Sequence, residues 1–406
     1  MKYLIILADG AADEPCESLG GKTPLTAARK PHIDRLCKEG IVGRLETVPA
    51  GFHPGSEIAH LGLLGYDIGK VFEGRGSLEA ASMGIPIDDG EVAMRCNLIC
   101  ITPDGIIKNH SAGNISNEEA EVLISYLNEQ LGDDRVRFFP GVSYRHLLKI
   151  KGGNKMVECT PPHDVPGQTF RDKLPRASKP EGEDTAKLLG ELILKSMKIL
   201  PKHPINQKRA AEGKDMATAI WPWSLGYRPS MEPMTSKFPI KTGSVISAVD
   251  LIFGIGVYAG LDKVEVPGAT GLWDTNYEGK CEAALRELKS KDFVFLHVEA
   301  TDEAGHDGNP ELKTRCVEYL DERVVKRVME EISTWNEPVR IAMLPDHPTP
   351  CRLRTHSMTP VPFFIWEPGS VKADTVETWN EDTAFNGRLG LLKGDQFIKT
   401  FFQDKI

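Results

Sequence analysis

The 406-residue sequence predicts an α/β protein: a doubly wound, mostly parallel sheet with covering helices, interrupted by a smaller inserted α+β domain. Three observations predict it. Runs such as KYLIILA, DFVFLHV and VRIAML are continuously apolar and not alternating, as strands covered on both faces are. Each run ends in ligand-type residues: Asp9 after the first, Asp302, His306 and Asp307 after the second, Asp346 and His347 after the third. The runs alternate with helical periodicity except over a middle stretch of short strands and turns.

Taken in order, the strand at Lys2 to Leu7 leads through a Gly-rich loop to a helix that starts at Pro31 and closes at Gly40. HPGSEIAHLGLLGYD then opens a helix near Ser56. From about residue 71 the texture changes to short strands around an amphipathic helix, NEEAEVLISYLNEQLG, and ends in a Pro-rich polar stretch. Alternation resumes near Asp184, with helix TAKLLGELILKSMKIL, strand ATAIWPWSLG, a buried helix from Ser244, helix CEAALRELKS and a long helix from Glu311. The predicted organisation is therefore one discontinuous domain, 1–70 with 181–406, and an insert at 71–180.

A net charge of −9 argues against nucleic acid or an anionic membrane as the main partner. Eight scattered cysteines, none in a CxxC pair, read as reduced thiols of a cytoplasmic protein. Asp9 interrupts the first apolar run, which argues against a signal peptide, and Asp250 argues against a membrane span after Ser244. Composition leaves the oligomeric state open.

Neighbouring parallel strands would bring the three strand-end clusters to one spot, because α/β sheets present their ligands at the carboxyl ends of strands. Asp302 and His306 are four apart, and flanking Gly305 and Gly308 suggest a tight loop in place of a surface helix. With Asp9, Asp346, His347 and His356 they make a mixed oxygen and nitrogen set suited to two divalent cations, manganese or zinc before calcium. The plain alternative makes Asp9 and Asp346 helix caps. Ser56 has two readings as well: an N-cap, or a nucleophile at the positive end of a helix.

The motifs ILADGAAD, KTPLTAARKPHID, PGSEIAHLGLLGYD, GRGSLEAASMGI, KNHSAGNIS, TPPHDVPG, IWPWSLG, PGATGLWDTNYEGK, TDEAGHDGN and DHPTPC resemble, over essentially the whole chain, the archaeal type of cofactor-independent phosphoglycerate mutase within the alkaline phosphatase superfamily. The resemblance implies an alkaline-phosphatase-like fold and two metals (Mn2+ or Zn2+, with Mg2+ or Co2+ as further options). One would be held by Asp9, Ser56, Asp346 and His347, the other by Asp302, His306 and His356. It implies that Ser56 becomes phosphoserine while 3-phosphoglycerate and 2-phosphoglycerate interconvert, helped by Lys280 and Arg75. His110, Arg95, Arg145 and Asp164 would hold the organic part of this small phosphorylated metabolite, and closure of the two lobes would exclude water. Three departures stand out: Pro348 in place of a serine, Asn114 in place of an arginine and Glu57 in place of an aspartate. They keep other readings in view: transfer to a small hydroxylated acceptor such as homoserine, a plain phosphomonoesterase, or an inert binding protein.

Overall fold

The computed structural model describes residues 1–369 and 373–404, and the chain divides into two compact units, 1–72 with 230–406, and 73–229. The first unit carries an eight-stranded mixed sheet. Its spatial order is Asp262–Val264, Gly243–Ile246, Phe293–Val298, Lys2–Ala8, Val339–Leu344, Val361–Trp366, Ile41–Glu46 and Leu391–Lys393. The first five strands are parallel, and Val361–Trp366 runs against both of its neighbours. The three strands read from their apolar runs are the adjacent centre of this sheet, in register Ile5 with Phe295 on one side and Ala342 on the other. Phe293–Val298 and Val339–Leu344 are buried at every position, as double coverage by helices requires. Leu4, Ile6, Leu296, Ile341 and Met343 form the core with Leu36, Leu288 and Val328 from the covering helices. Each such buried side chain contributes roughly 1.5–3 kcal/mol.

The second unit is built on antiparallel pairs. Glu91–Ile101 pairs with Ile107–Asn109, Arg145–Lys151 and Ala219–Gly226, and Val136–Phe139 pairs with Arg145–Lys151. Helices Asn117–Leu131 and Glu183–Ile199 supply Leu123, Ile124, Leu127, Leu189 and Ile193 to its core, with Trp221 from the sheet. A capping box of Ser116 and Glu119 starts the first of these helices.

The predicted return to the first domain at residue 181 is corrected: residues 181–229 belong to the second unit. Helix Glu183–Ile199 followed by strand Ala219–Gly226 imitates βα alternation, yet that strand pairs antiparallel with Glu91–Ile101. Strand direction is invisible in hydrophobic pattern alone. The buried helix expected from Ser244 is also corrected, because Gly243–Ile246 is a strand of the first sheet and the helix begins at Asp250. Asp302 and His306 lie on a short helix, Ala300–His306, and not on a tight loop. Gly305 is inside it because a Cβ there would stand 2.4 Å from the Thr349 carbonyl oxygen. Among the described residues no helix is long and apolar enough to cross a membrane, and all eight cysteines are free.

Candidate active site

At the carboxyl ends of the three central strands the chain turns sharply, and the turns carry the polar residues. Asp9 is followed by Gly10, which has φ of +62° and whose amide donates to Asp346 Oδ1 at 3.1 Å. A Cβ at Gly10 would meet Asp302 Oδ1 at 2.5 Å and Thr349 Oγ1 at 2.6 Å. Glycine alone lets the Asp9 turn press against the neighbouring strand ends.

Two donor groups result. Asp9 Oδ1, Asp346 Oδ2 and His347 Nε2 lie close together, with His347 Nε2 at 3.8 Å from Asp9 Oδ1 and 3.1 Å from Asp346 Oδ2. The Ser56 hydroxyl is 3.2 Å from His347 Nε2. The second cluster is Asp302, His347 and His356, so His347 belongs to both; His306 stands beside it, its Nε2 3.2 Å from Asp302 Oδ2, while His356 Nε2 is 3.5 Å from Asp302 Oδ1. His347 stacks on His356 at 3.7 Å, so the groups share a wall.

The capping alternatives fail on geometry. Helix Ser56–Leu63 has Gly55 as its N-cap without a side-chain bond, so Ser56 is the first helical residue and its hydroxyl faces His347. Asp346 Oδ1 accepts from the amides of Gly10 and His347 within the turns and caps no helix.

Unpaired atoms test whether cations fit. Asp9 Oδ1 and Asp346 Oδ2 are buried without a hydrogen-bond donor. His306 Nδ1 donates to the Arg354 carbonyl at 3.0 Å and His356 Nδ1 to the Pro54 carbonyl at 2.8 Å, since a carbonyl can only accept. Their Nε2 atoms face each other at 2.9 Å, where two neutral rings would oppose lone pairs, so a proton or a cation belongs there. Hydrogen bonding to Asp302 raises His306 to about 9, and a divalent cation bound at Asp302 would replace that proton. Burial, and then the charges of Asp346, Asp302 and Glu299, push the Asp9 carboxyl well above its usual range. Burial opposes ionisation of Asp302 too, but His306 and His356 hold it well below the usual range. The donors are the oxygen and imidazole set that suits hydrated divalent ions.

Lys280 is wholly buried on helix Tyr277–Ser290, and its ammonium donates to the His297 carbonyl at 3.1 Å. Burial lowers it to about 8, while Glu299 and Asp9 pull the other way. Several contributors were not singled out from sequence. His297 binds Asp9 Oδ2 at 2.8 Å, Thr301 donates to the Asp9 carbonyl, and Thr349 donates to Asp302. His60 Nδ1 donates to the Ser56 carbonyl at 2.7 Å and fixes the first turn of the Ser56 helix. Lys313, also buried, ties the Ala12 and Thr349 carbonyls and Asp13 together. An imidazole inside an apolar strand and a lysine inside a helix core were the available signals, because such groups are rarely buried without partners.

The remaining predicted residues belong to the second unit. Arg95 and Arg75 act on each other and on His163, and Arg145 acts on Arg95. The Arg95 guanidinium lies 4.6 Å over Trp223 and 3.2 Å from Glu79, and His110 packs edge-on to Tyr144 and His163. Asp164 is exposed beside His163 and adds a carboxylate, not a cation. His163 and Trp223 went unremarked in the sequence. Asn114 is exposed with φ of +53°, a left-handed conformation that asparagine adopts more readily than most residues.

Comparison with known proteins now adds a family. A family model described as 2,3-bisphosphoglycerate-independent phosphoglycerate mutase matches residues 37–206. A protein of that name from Methanosarcina mazei is 48% identical over 401 residues, covering 98% of each chain. Among solved structures, a Pyrococcus horikoshii protein is 29% identical with a TM-score of 0.82, covering 100% of this chain and 98% of its own. The cofactor-independent phosphoglycerate mutase of Thermoplasma acidophilum is 26% identical with a TM-score of 0.69, covering 99% of each.

Proposed function

Because the chain belongs to the 2,3-bisphosphoglycerate-independent phosphoglycerate mutase family, we propose that it interconverts 3-phosphoglycerate and 2-phosphoglycerate through a phosphoserine at Ser56. The observation that carries this reading is the Ser56 hydroxyl. It stands at the first position of a helix, is spent on no cap, and lies 3.2 Å from His347 Nε2 beside two buried carboxylate oxygens that lack donors.

Asp9, Ser56, Asp346 and His347 would hold one divalent cation, and Asp302, His306 and His356 the other, with manganese or zinc best matched to the donors. Bound there, the cations supply neutralising charge to the phosphoryl oxygens and lower the pKa of the serine hydroxyl. Ser56 Oγ forms a bond to phosphorus as the bond from phosphorus to the substrate's 3-oxygen breaks, and the serine proton ends on that oxygen. The glycerate then offers its 2-oxygen, the Oγ–phosphorus bond breaks, and the 2-hydroxyl proton returns to Ser56. Lys280 places a cation at the end of the His297 strand, next to Asp9 in charge if not in contact. Arg75, Arg95, Arg145 and His110 of the second unit form a cationic cluster suited to an organic anion such as a carboxylate, which planar guanidinium forks match.

The test is a two-channel assay of metal-loaded protein. One channel couples 3-phosphoglycerate to enolase without bisphosphoglycerate, and the other offers homoserine with nucleotide phosphate donors. Acid-quenched samples are searched by mass spectrometry for phosphate on Ser56. Turnover in the first channel with phosphate on Ser56 supports the reading, whereas silence there with product in the second overturns it.

A further inference from the structure

We propose that His297, oriented by Ser247, is a positioning residue that limits Asp9 to coordination through a single oxygen. The inference rests on the metal reading given above. His297 lies in strand Phe293–Val298, opposite Leu7 of the central strand, and is wholly buried. The hydrogen bonds around it run in one direction. An ionised Asp9 carboxylate can only accept, so Nδ1 accepts from the Ser247 hydroxyl, 2.9 Å away, and Ser247 Oγ in turn accepts from the Val249 amide at 3.0 Å. Nδ1 is thereby the acceptor, and the ring proton sits on Nε2, which donates to Asp9 Oδ2 at 2.8 Å. The other tautomer would turn an Nε2 lone pair against a carboxylate oxygen.

The carboxylate's two oxygens are consequently unequal. Oδ2 is committed to His297, while Oδ1 is buried without a donor and lies 3.8 Å from His347 Nε2. The Asp9 carbonyl is held separately by Thr301, and its amide donates to the Val298 carbonyl at 3.0 Å, so the backbone cannot swing to offer Oδ2. A cation taken on Oδ2 as well would compete with the His297 N–H for that oxygen, whereas Oδ1 has no such competitor. Offering one oxygen keeps the rest of the coordination shell available to other oxygens, which a site for phosphoryl transfer needs. His297 touches neither substrate nor cation in this scheme; it acts through Asp9.

Cobalt serves as the probe, because its visible absorption weakens as coordination number rises. Wild type, His297→Leu, His297→Gln, Ser247→Ala and Asp9→Asn are titrated with Co2+ by calorimetry and followed by absorption. His297→Leu is expected to bind one cobalt about 10–100-fold more weakly, with a weaker visible band. His297→Gln keeps an N–H donor and should stay close to wild type, and Ser247→Ala should fall between them. A role in packing alone predicts the reverse ranking, since leucine suits an apolar strand better than glutamine. If His297→Leu keeps the wild-type affinity and spectrum while Asp9→Asn loses one cobalt, the positioning role is overturned and the metal reading survives. If Asp9→Asn retains both ions at wild-type affinity, the metal reading of Asp9 falls and the inference with it. Should His297→Leu not fold, Ser247→Ala decides, and an unchanged spectrum there overturns the proposal.

Discussion

The two units hold their polar clusters by opposite means. In the first, Asp9, Asp302, Asp346 and His347 are almost completely buried and sit where parallel strands end. In the second, Arg145 and Asp164 are exposed, and the cations lie along an antiparallel sheet and its loops, with one of them resting on an indole. Buried carboxylates and imidazoles with unpaired atoms need a cation, whereas an exposed guanidinium is solvated and open to an arriving anion. The contrast teaches that backbone turns place the buried carboxylates and imidazoles, whereas long side chains place the cations.

The sharpest way to break this comparison is Ser56→Ala. It should lower turnover by about 10⁵–10⁶-fold, as loss of a nucleophile does, while metal content measured by elemental analysis stays near wild type. Full activity in that variant would remove the first unit's claim to the chemistry. Gly10→Ala attacks the turn itself: a left-handed φ and the approach to Asp302 and Thr349 should cost about 2–5 kcal/mol, read as a fall in Tm together with loss of bound metal. A variant as stable as wild type would mean the turn is not constrained.

Arg145→Gln tests the other unit. If exposed Arg145 pairs with the substrate as proposed, losing that charge-assisted hydrogen bond should drop kcat/KM for 3-phosphoglycerate about 10–100-fold through KM, with metal content unaltered. Unchanged kinetics would take Arg145 out of the anion cluster. A further test concerns the acid stability of the second unit. His146 accepts from the Gly141 amide at 3.0 Å, and burial lowers it from 6.5 to about 3. The unfolded chain therefore binds the proton first: stability is complete above pH 6.5 and declines toward pH 3, by up to about 1.4 kcal/mol per pH unit. His146→Asn keeps an acceptor for Gly141 and should flatten that decline in urea melts taken across the range. An identical slope in both proteins would refute it.

The site was legible where its residues are contiguous with strong strands. Asp346 and His347 follow VRIAML directly, and Asp302 and His306 follow DFVFLHV within a few residues, so strand ends and ligands were read together. His297 and Lys313 were not, because one looks like an isolated polar residue in an apolar strand and the other like one more charge on a polar helix, until partners over 200 residues away, Asp9 and Asp13, are brought beside them. The second unit's cations come from separate segments at Arg75, Arg95, His110, Arg145 and His163, and no local pattern links them. Its far boundary was misread for the same reason, since a helix followed by a strand looks alike whether the strand joins a parallel or an antiparallel sheet.

By itself the sequence determined the α/β class, the three central strands and the residue types gathered at their ends, because apolar run length and strand-end polarity are local properties. Tertiary structure alone decided that Ser56 faces His347 and caps nothing, that Asn114 takes a left-handed backbone, and that only one Asp9 oxygen meets His297. Those outcomes depend on which distant atoms occupy each donor and acceptor, and only the packed chain brings those atoms within hydrogen-bonding distance.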